Sequence, residues 1–249
     1  MSSMNHTSDY QFTIIVPFYN EEENAAAMEK NLASFLPLCS MSPACVLFVD
    51  DGSTDNGPAL VKEICSRHDG FFYIRLERNT GLSGALKAGF DNCFSPWLGY
   101  IDADFQTDPV DFNLLLQYAG EYEMVTGVRA KRNDGFVKKA SSRFANAFRR
   151  AFTHDGVSDT GCPLKVIRTD VARRFPMFTG MHRFLPALTQ MAGGKVKQVE
   201  VRHYPRIAGH SKYHLFNRIL GPLGDCFGYR WMSKRYINYR IKDDSVNEQ

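Results

Sequence analysis

The stretch ACVLFVDDGSTD, residues 44–55, runs from an apolar segment directly into a loop rich in aspartate. Its apolar part, residues 44–49, is an unbroken run that includes β-branched and aromatic residues. Such a run predicts a strand that is buried on both faces. The Asp, Gly and Ser that follow are typical turn residues and predict that the strand ends there. A buried strand followed by a polar loop is the unit from which open α/β sheets are built.

The same alternation of strand, loop and helix repeats along the first half of the chain. It predicts a mostly parallel sheet with helices on both faces. Further strands are predicted at 12–17, 71–77, 97–102 and 122–128, and helices at 20–36, 58–68, 82–93 and 109–119.

The second half is less regular. Residues 137–152 are basic with helical spacing, and residues 195–204 alternate as a half-exposed strand does. A strand is predicted at 162–168 and a helix within HRFLPALTQMA, residues 182–192. The tail from 213 to 240 carries apolar and basic residues at helical spacing.

Composition narrows the class of protein. The chain has 249 residues, enough for one large domain or a domain with an appended lobe. There is no long uncharged apolar run and no signal-peptide pattern, so we expect neither a membrane span nor export. The six cysteines form no C-x-x-C pair, which predicts free thiols rather than disulfides or a zinc site.

Charge is divided unevenly along the chain. Residues 1–128 carry 6 basic and 18 acidic side chains, whereas residues 129–249 carry 24 basic and 9 acidic ones. Such segregation predicts that the second half meets an anionic partner. Nucleic acid, a phosphorylated substrate and an acidic membrane surface all fit the charge alone, as does a merely solvated basic face.

Polar loops follow three of the predicted strands, and ligands gather at the carboxyl ends of strands in open α/β sheets. The third of these loops lies in YIDADFQTDP, residues 100–109, which places three aspartates close together. Asp102 and Asp104 flank Ala103, and two hard carboxylates at a strand end suit Mg²⁺ or Mn²⁺. Such a metal would neutralise the charge of a nucleotide diphosphate.

Eight motifs follow one another along the chain. They are VPFYNEEEN (16–24), VDDGSTD (49–55), NTGLSGALKAG (79–89), DADFQTDP (102–109), GVRAKR (127–132), SSRFAN (141–146), GMHRFLPAL (180–188) and PRIAGHSKY (205–213). In this order and spacing they resemble the family 2 glycosyltransferases with the GT-A fold, over about residues 12–215. Within that family the chain is similar to dolichol-phosphate mannosyltransferases and bacterial polyprenyl-phosphate glycosyltransferases.

The resemblance implies roles for single residues. Those that bind the nucleotide-sugar donor are Pro17, Tyr19, Glu21, Val49, Asp50, Asp51, Asp102, Ala103, Asp104, Arg206 and Lys212. The metal ligands are Asp102, Asp104 and Gln106, the acceptor phosphate meets Arg129, Ser141 and Arg143, and the residues closest to catalysis are Asp104, Gln106, Arg129 and Arg143.

Two stretches depart from patterns found elsewhere in the family. Members whose acceptor is a sugar hydroxyl use the carboxylate of a Glu-Asp motif as the base. The comparable stretch here is SDTGCP, residues 158–163, which has Asp159 without a preceding Glu. A phosphate acceptor is already an anion and needs no strong base. Processive synthases carry Q-x-x-R-W, whereas FGYRW, residues 227–231, has Phe in place of Gln.

We therefore expect a GT-A domain over 10–212 and an amphipathic helical tail over 213–249 that contacts the membrane. The expected reaction is inverting transfer of a sugar from a UDP-sugar or GDP-mannose to undecaprenyl or dolichyl phosphate. Aromatic residues among Arg and Lys in the tail and Phe residues in 136–152 predict peripheral attachment to the cytoplasmic face, with an anionic membrane surface rather than nucleic acid as partner. The sequence does not specify the oligomeric state.

Two other functions remain open at this point. The first is a soluble glycosyltransferase that extends a glycan at a hydroxyl, against which the incomplete acidic motif speaks. The second is a non-catalytic nucleotide-sugar sensor or membrane scaffold, against which the intact D-x-D-x-Q of residues 102–106 speaks.

Overall fold

The computed structural model describes residues 6–129, 148–202, 204 and 220–239. Its centre is one seven-stranded sheet with the strand order β3-β2-β1-β4-β6-β5-β7. The strands are β1 Phe12–Phe18, β2 Ala44–Asp50, β3 Phe71–Arg75, β4 Trp97–Tyr100, β5 Met124–Arg129, β6 Lys165–Arg168 and β7 Val196–Val201.

The predicted parallel sheet is confirmed for most of its pairs. The strands β1, β2, β3 and β4 run parallel to one another, as do β5 and β7. Strand β6 is the exception, because it pairs antiparallel with both β4 and β5. The sequence-based alternation of strand and helix did not predict this antiparallel pairing.

Seven helices with defined bounds cover the sheet in the described residues. They are α1 Ala25–Phe35, α2 Gly57–Arg67, α3 Leu82–Asn92, α4 Phe112–Leu116, α5 Thr169–Arg173, α6 Leu185–Met191 and α7 Leu220–Ser233. Helices α1, α2 and α4 pack on one face of the sheet, and α3, α5, α6 and α7 on the other. Both faces are therefore covered, as a sheet of apolar strands requires.

The boundaries differ from the prediction mainly at helix starts. The first helix begins at Ala25 rather than residue 20, because residues 22–24 form a single 3₁₀ turn and Asn20 has a left-handed φ of 52°. Asparagine tolerates that conformation better than most residues. The residues before Ala25 are thereby kept in the loop that follows β1.

Close packing of α3 on the sheet depends on a glycine. A Cβ on Gly89 would lie 2.7 Å from Cγ2 of Ile15 in β1, closer than packed atoms approach. Gly89 therefore allows α3 to approach the sheet closely. All six cysteines are free, as predicted.

Of the described part of the tail, residues 220–233 form α7 and residues 234–239 are not helical. In α7 the side chains of Cys226 and Tyr229 are buried, and the Tyr229 ring stacks on Phe184 with centroids 5.6 Å apart. Among the described residues, no helix combines the length and the apolar character that a membrane crossing requires. Of the predicted basic helix at 137–152, residues 148–152 are described and are helical, and the helix continues to residue 153; residues 137–147 lie outside the described residues.

Candidate active site

The loops after β1 and β2 are joined by hydrogen bonds. The backbone N–H of Thr54 donates to Oδ1 of Asn20 at 2.7 Å, and the N–H of Asn20 donates to Oγ of Ser53 at 3.0 Å. The N–H of Glu22 donates to the Asp55 carboxylate at 3.0 Å. Because β2, β1 and β4 are neighbours, the predicted convergence of their loops at one sheet edge is confirmed.

Asp50 is wholly buried and its carboxylate is fully engaged within the protein. It accepts from the Ser53 N–H at 2.8 Å and from the Tyr73 hydroxyl at 2.9 Å, and Nε of Arg75 lies 3.0 Å away. Asp50 therefore organises the loop after β2. Asp51 is also buried, and its Oδ1 accepts from both the N–H and the hydroxyl of Thr80 at 2.8 Å, which ties this loop to the start of α3.

The other residues implied for the donor lie beside these loops. Pro17 and Val49 are buried and face each other in register across β1 and β2, so their side chains belong to the sheet rather than to an open surface. Tyr19 and Glu21 are half-buried in the loop after β1, where Oε2 of Glu21 accepts from the Asn24 amide at 2.6 Å.

The carboxylates after β4 are crowded and half-buried. Oδ1 of Asp102 accepts a 2.6 Å hydrogen bond from the Tyr100 hydroxyl, and Oδ1 of Asp104 accepts from the Gln106 N–H at 3.3 Å. Burial, together with the negative charge of Asp104, raises the pKa of Asp102 to about 6. Ala103 is buried, and Phe105 adopts a left-handed φ of 47° that turns the loop.

This set of oxygen donors fits a divalent metal ion. Two carboxylates and the Gln106 amide are hard ligands, and the crowding that raises the pKa of Asp102 is relieved by a cation. Within the described part of the chain, no cluster of three or more His, Cys, Asp or Glu side chains could hold a metal by itself. A metal here would therefore need further ligands from substrate or water, as Mg²⁺ and Mn²⁺ commonly do.

Arg129, at the end of β5, is paired with Asp159. Its Nε and Nη2 each donate to a different carboxylate oxygen at 2.8 Å, and its backbone N–H adds a third contact at 3.2 Å. Burial acts to raise the pKa of Asp159, but the hydrogen bonds and charge of Arg129 outweigh it and lower that pKa. Gly161 makes room for the pair, because a Cβ there would lie 3.0 Å from Nη2 of Arg129.

Lys165 is a member of this region that the sequence reasoning missed. It lies in β6 directly opposite Tyr100 of β4, it is 1% exposed, and its ammonium is 5.9 Å from the centre of the Tyr100 ring. The ammonium donates to the backbone carbonyls of Thr160 and Cys162. A lysine inside the otherwise apolar strand sequence CPLKVIR was the available signal.

His182 and Ser83 form a second unpredicted contact. The Ser83 hydroxyl oxygen accepts from the backbone N–H of His182 at 3.1 Å and lies 2.8 Å from its Nδ1. Burial, reinforced by the charges of Arg183 and Lys165, lowers the pKa of His182 to about 3, so the ring is neutral.

Four residues implied for the site, Ser141, Arg143, Arg206 and Lys212, lie outside the described residues. The segment that leads toward Arg206 is nevertheless anchored at the carboxylate loop. The N–H of Tyr204 donates to the carbonyl of Gln106 at 2.8 Å.

The comparison with known families decides the classification. The model of the family described as "Glycosyl transferase family 2" matches residues 13–175, which is well over half of the chain. The chain belongs to glycosyltransferase family 2. The matched range of this family includes the loops after β1, β2 and β4, the end of β5, and both Asp159 and Lys165.

Curated relatives in the family are similar over most of this chain. The undecaprenyl-phosphate 4-deoxy-4-formamido-L-arabinose transferase of Yersinia pestis (strain Pestoides F) is 31% identical over 209 residues, covering 83% of this chain and 64% of the relative. The transferase of the same name from Pectobacterium carotovorum is 30% identical over 210 residues with the same coverage. The chain thus spans less than two thirds of the length of these relatives.

Solved structures show the same fold. Glucosyl-3-phosphoglycerate synthase from Mycobacterium tuberculosis, in complex with Mn²⁺, UDP and glucosyl-3-phosphoglycerate, has a TM-score of 0.66 at 13% identity. The match covers 92% of this chain and 81% of that one. The same enzyme with Mn²⁺ and UDP-glucose gives a TM-score of 0.62 at 17% identity, covering 90% and 79%. The expected GT-A α/β fold is confirmed.

Proposed function

We propose that this family 2 protein is an inverting glycosyltransferase that moves a sugar from a nucleotide diphosphate sugar to a polyprenyl phosphate. One observation carries the choice of acceptor. Asp159, the carboxylate at the position where hydroxyl-using members keep a base, is held by Arg129 through both oxygens and has a lowered pKa. Such a carboxylate is a poor proton acceptor, whereas a phosphate monoester needs no base to become a nucleophile.

The donor would occupy the edge formed by the loops after β1 and β2. Asp50 and Asp51 are locked by Tyr73 and Thr80, so this loop is organised before any ligand binds. The resemblance assigns the base and ribose to Pro17, Tyr19, Glu21, Val49 and Asp51. Preorganisation of this kind lowers the entropy that binding must overcome.

A divalent ion, Mg²⁺ or Mn²⁺, belongs to the same proposal. Asp102, Asp104 and Gln106 would hold it, and it would neutralise the negative charge that develops on the departing diphosphate. Support comes from the oxygen ligands after β4 and from the M. tuberculosis synthase, whose structures are titled as complexes with Mn²⁺ and UDP or UDP-glucose. Arg206 and Lys212 are proposed to close over the phosphates from the segment that follows Tyr204.

The acceptor phosphate would lie at the end of β5. The relatives are named undecaprenyl-phosphate transferases, and Arg129 presents a guanidinium at this edge of the sheet. A guanidinium has five N–H donors, so pairing with Asp159 does not by itself prevent Arg129 from donating to a phosphate oxygen. Ser141 and Arg143 complete the proposed acceptor site.

The reaction follows from this arrangement. A phosphate oxygen of the lipid forms a bond to the anomeric carbon while the bond from that carbon to the nucleotide diphosphate breaks. Attack from the side opposite the leaving group inverts the configuration. The residues of the chain contribute by placing two anionic substrates next to each other, which is costly without fixed cationic groups.

Attachment at the cytoplasmic membrane surface is also proposed. It would occur through the exposed rings of Phe227 and Trp231, which we call the aromatic face of α7. Phe227 is 61% and Trp231 is 63% exposed, and the Arg235 guanidinium lies 4.9 Å from the centre of the Trp231 ring. Phe152 contacts the Phe227 ring edge-on at 4.9 Å. Exposed aromatic rings combined with cations suit the headgroup region of an anionic membrane. The division into a domain over 10–212 and a tail over 213–249 belongs to this proposal.

The test is a transfer assay. Purified protein is incubated with Mn²⁺, a panel of radiolabelled nucleotide sugars and a polyprenyl phosphate in detergent, and the label in the organic phase is counted. Transfer of label to lipid supports the proposal. Label that appears only in a water-soluble glycan would indicate the hydroxyl-acceptor function, and nucleotide-sugar binding without turnover would indicate a sensor.

A further inference from the structure

Lys165 is a buried cation that lies between the two halves of the candidate site. It belongs to β6, which separates β4, the strand that ends in the metal carboxylates, from β5, the strand that ends at Arg129. In the register of the sheet, Lys165 faces Tyr100 on one side and Thr126 on the other. Both neighbours lie within a few residues of the proposed ligand-binding groups.

On the donor side, Lys165 is connected to Asp102 through Tyr100. The ammonium lies 5.9 Å from the centre of the Tyr100 ring, and the Tyr100 hydroxyl donates to Asp102 at 2.6 Å. Tyr100 thus lies between the ammonium and the Asp102 carboxylate, and opposite charges at this separation attract each other. Lys165 therefore acts on the carboxylate that is proposed to hold the metal.

On the acceptor side, Lys165 is connected to Asp159 through the backbone. Its ammonium donates to the carbonyls of Thr160 and Cys162, which lie in the loop that begins at Asp159 and carries Gly161. This loop places the Asp159 carboxylate against Arg129. Lys165 thus fixes the loop that orients the proposed acceptor arginine.

The charges of the region give Lys165 a second effect. Asp102, Asp104 and Asp159 supply three carboxylates, against which Arg129 and Lys165 supply two cations. With all of them ionised the cluster is one charge negative, and a bound divalent ion would make it one charge positive. Without Lys165 the loaded cluster would be neutral. Burial of an ammonium is costly unless it serves such a compensation.

We propose that Lys165 is a positioning residue that couples the two half-sites: it holds the Asp159 loop and keeps the metal-loaded site positive for the acceptor phosphate. This inference rests on the proposed function for the identity of the acceptor. It also makes a claim about metal binding that does not depend on turnover.

The direction of the change in metal affinity distinguishes this role from a structural one. A cation close to the Asp102 carboxylate opposes metal binding there, so Lys165→Met should bind Mn²⁺ alone more tightly, on the order of threefold to tenfold. A loosened fold would bind Mn²⁺ less tightly. Lys165→Gln, which keeps an N–H donor for the two carbonyls but lacks the charge, should show the same increase, and Lys165→Arg should not. Free Mn²⁺ is measured by electron paramagnetic resonance.

The affinity for a phosphate should change in the opposite direction. With Mn²⁺ present, both neutral variants should bind geranyl phosphate, a short isoprenyl monophosphate, several-fold more weakly, with a raised KM for lipid phosphate and a smaller change in kcat. Lys165→Met, which also loses the tether, should be more strongly affected than Lys165→Gln.

Two results would overturn the proposed role of Lys165. One is unchanged or weaker Mn²⁺ binding in folded Lys165→Met and Lys165→Gln. The other is loss of folding in both of these variants while Lys165→Arg stays folded. If the wild type transfers no sugar to lipid phosphate yet Lys165→Met shows tighter Mn²⁺ binding, the proposed function fails while the charge role of Lys165 stands. If the wild type transfers sugar to lipid phosphate and the variants show no change in Mn²⁺ or phosphate binding, the proposed function stands and the proposed role of Lys165 fails.

Discussion

The Arg129 guanidinium and the Asp159 carboxylate form a bidentate ion pair, with both N–O distances at 2.8 Å and both side chains only about one-eighth exposed. Two parallel charge-assisted hydrogen bonds hold the guanidinium in one orientation. A fixed cationic group at the end of a sheet strand is what binding of a phosphate monoester would require. The pair also lowers the pKa of Asp159, which makes this carboxylate a poor proton acceptor. The same contact therefore supports both the proposed acceptor and the proposed mechanism.

The first prediction concerns Arg129. Arg129→Lys keeps the positive charge, and hence a partner for Asp159, but loses the planar guanidinium that donates two parallel hydrogen bonds. We expect the KM for lipid phosphate to rise on the order of tenfold to a hundredfold with donor binding largely unchanged. Arg168→Lys, at an exposed arginine in β6, is the matched control. If Arg129→Lys weakens nucleotide binding and spares the acceptor KM, the two sites are assigned the wrong way round.

The second prediction concerns the carboxylates after β4. Asp104→Asn should abolish transfer and remove the dependence of nucleotide binding on Mn²⁺, because a neutral amide is a weaker metal ligand than a carboxylate. Asp108→Asn in the same loop is the control, since Asp108 caps the turn at Val110 and Asn can do the same. Calorimetry compares nucleotide affinity with and without Mn²⁺. An unchanged metal dependence in Asp104→Asn would exclude Asp104 as a ligand.

The sheet and its polar edge could be predicted because they follow from local patterns. Apolar runs such as 44–50 are confirmed as strands, and Asp, Gly and Ser after them are confirmed as loops at one edge. The antiparallel pairing of β6 could not be predicted in this way, since strand direction depends on the route of the chain between elements. Some helices also begin later than predicted. The first one begins at Ala25 because a 3₁₀ turn precedes it.

Side-chain pairing is what the sequence left undetermined. The sequence showed Asp159 only as part of an incomplete acidic motif, because its pairing with Arg129 joins positions thirty residues apart. A lysine in a strand is usually exposed, whereas the neighbouring strands bury Lys165. The contact of His182 with Ser83 spans ninety-nine positions and left no local signal.

The third prediction follows from the neutral ring of His182. Its pKa is about 3 in the folded protein and about 6.5 in the unfolded chain, so below pH 6.5 the unfolded state binds the additional proton. The stability that His182 contributes is therefore complete above pH 6.5 and is lost as pH falls toward 3, by about 1 kcal/mol at pH 5.5.

Chemical denaturation at several pH values between 5 and 6.5 measures this effect. In His182→Asn the free energy of unfolding should depend less steeply on pH than in the wild type, and the exposed His154→Asn serves as the matched control. An unchanged slope in His182→Asn would show that the ring is not held neutral.

The fourth prediction concerns the aromatic face of α7. Wild-type protein should bind liposomes that contain anionic lipid, and binding should fall but not vanish as salt rises, because screening removes charge attraction and leaves the apolar contribution. The double change Phe227→Ser and Trp231→Ser should remove most of the salt-resistant part. Phe94→Ser, at an aromatic residue 57% exposed elsewhere on the surface, is the control. Equal binding to neutral and anionic liposomes at low salt would contradict the proposal.

The central claim is that the acceptor is a phosphate rather than a hydroxyl. The most direct measurement supplies the protein with Mn²⁺, its best radiolabelled nucleotide sugar, and either a polyprenyl phosphate or the polyprenol of the same chain length, and counts the label in the lipid. We expect rapid labelling of the phosphate, with inverted anomeric configuration in the product, and no labelling of the alcohol. Labelling of the alcohol at a comparable rate would contradict it, since a base would then have to exist where Asp159 is bound by Arg129.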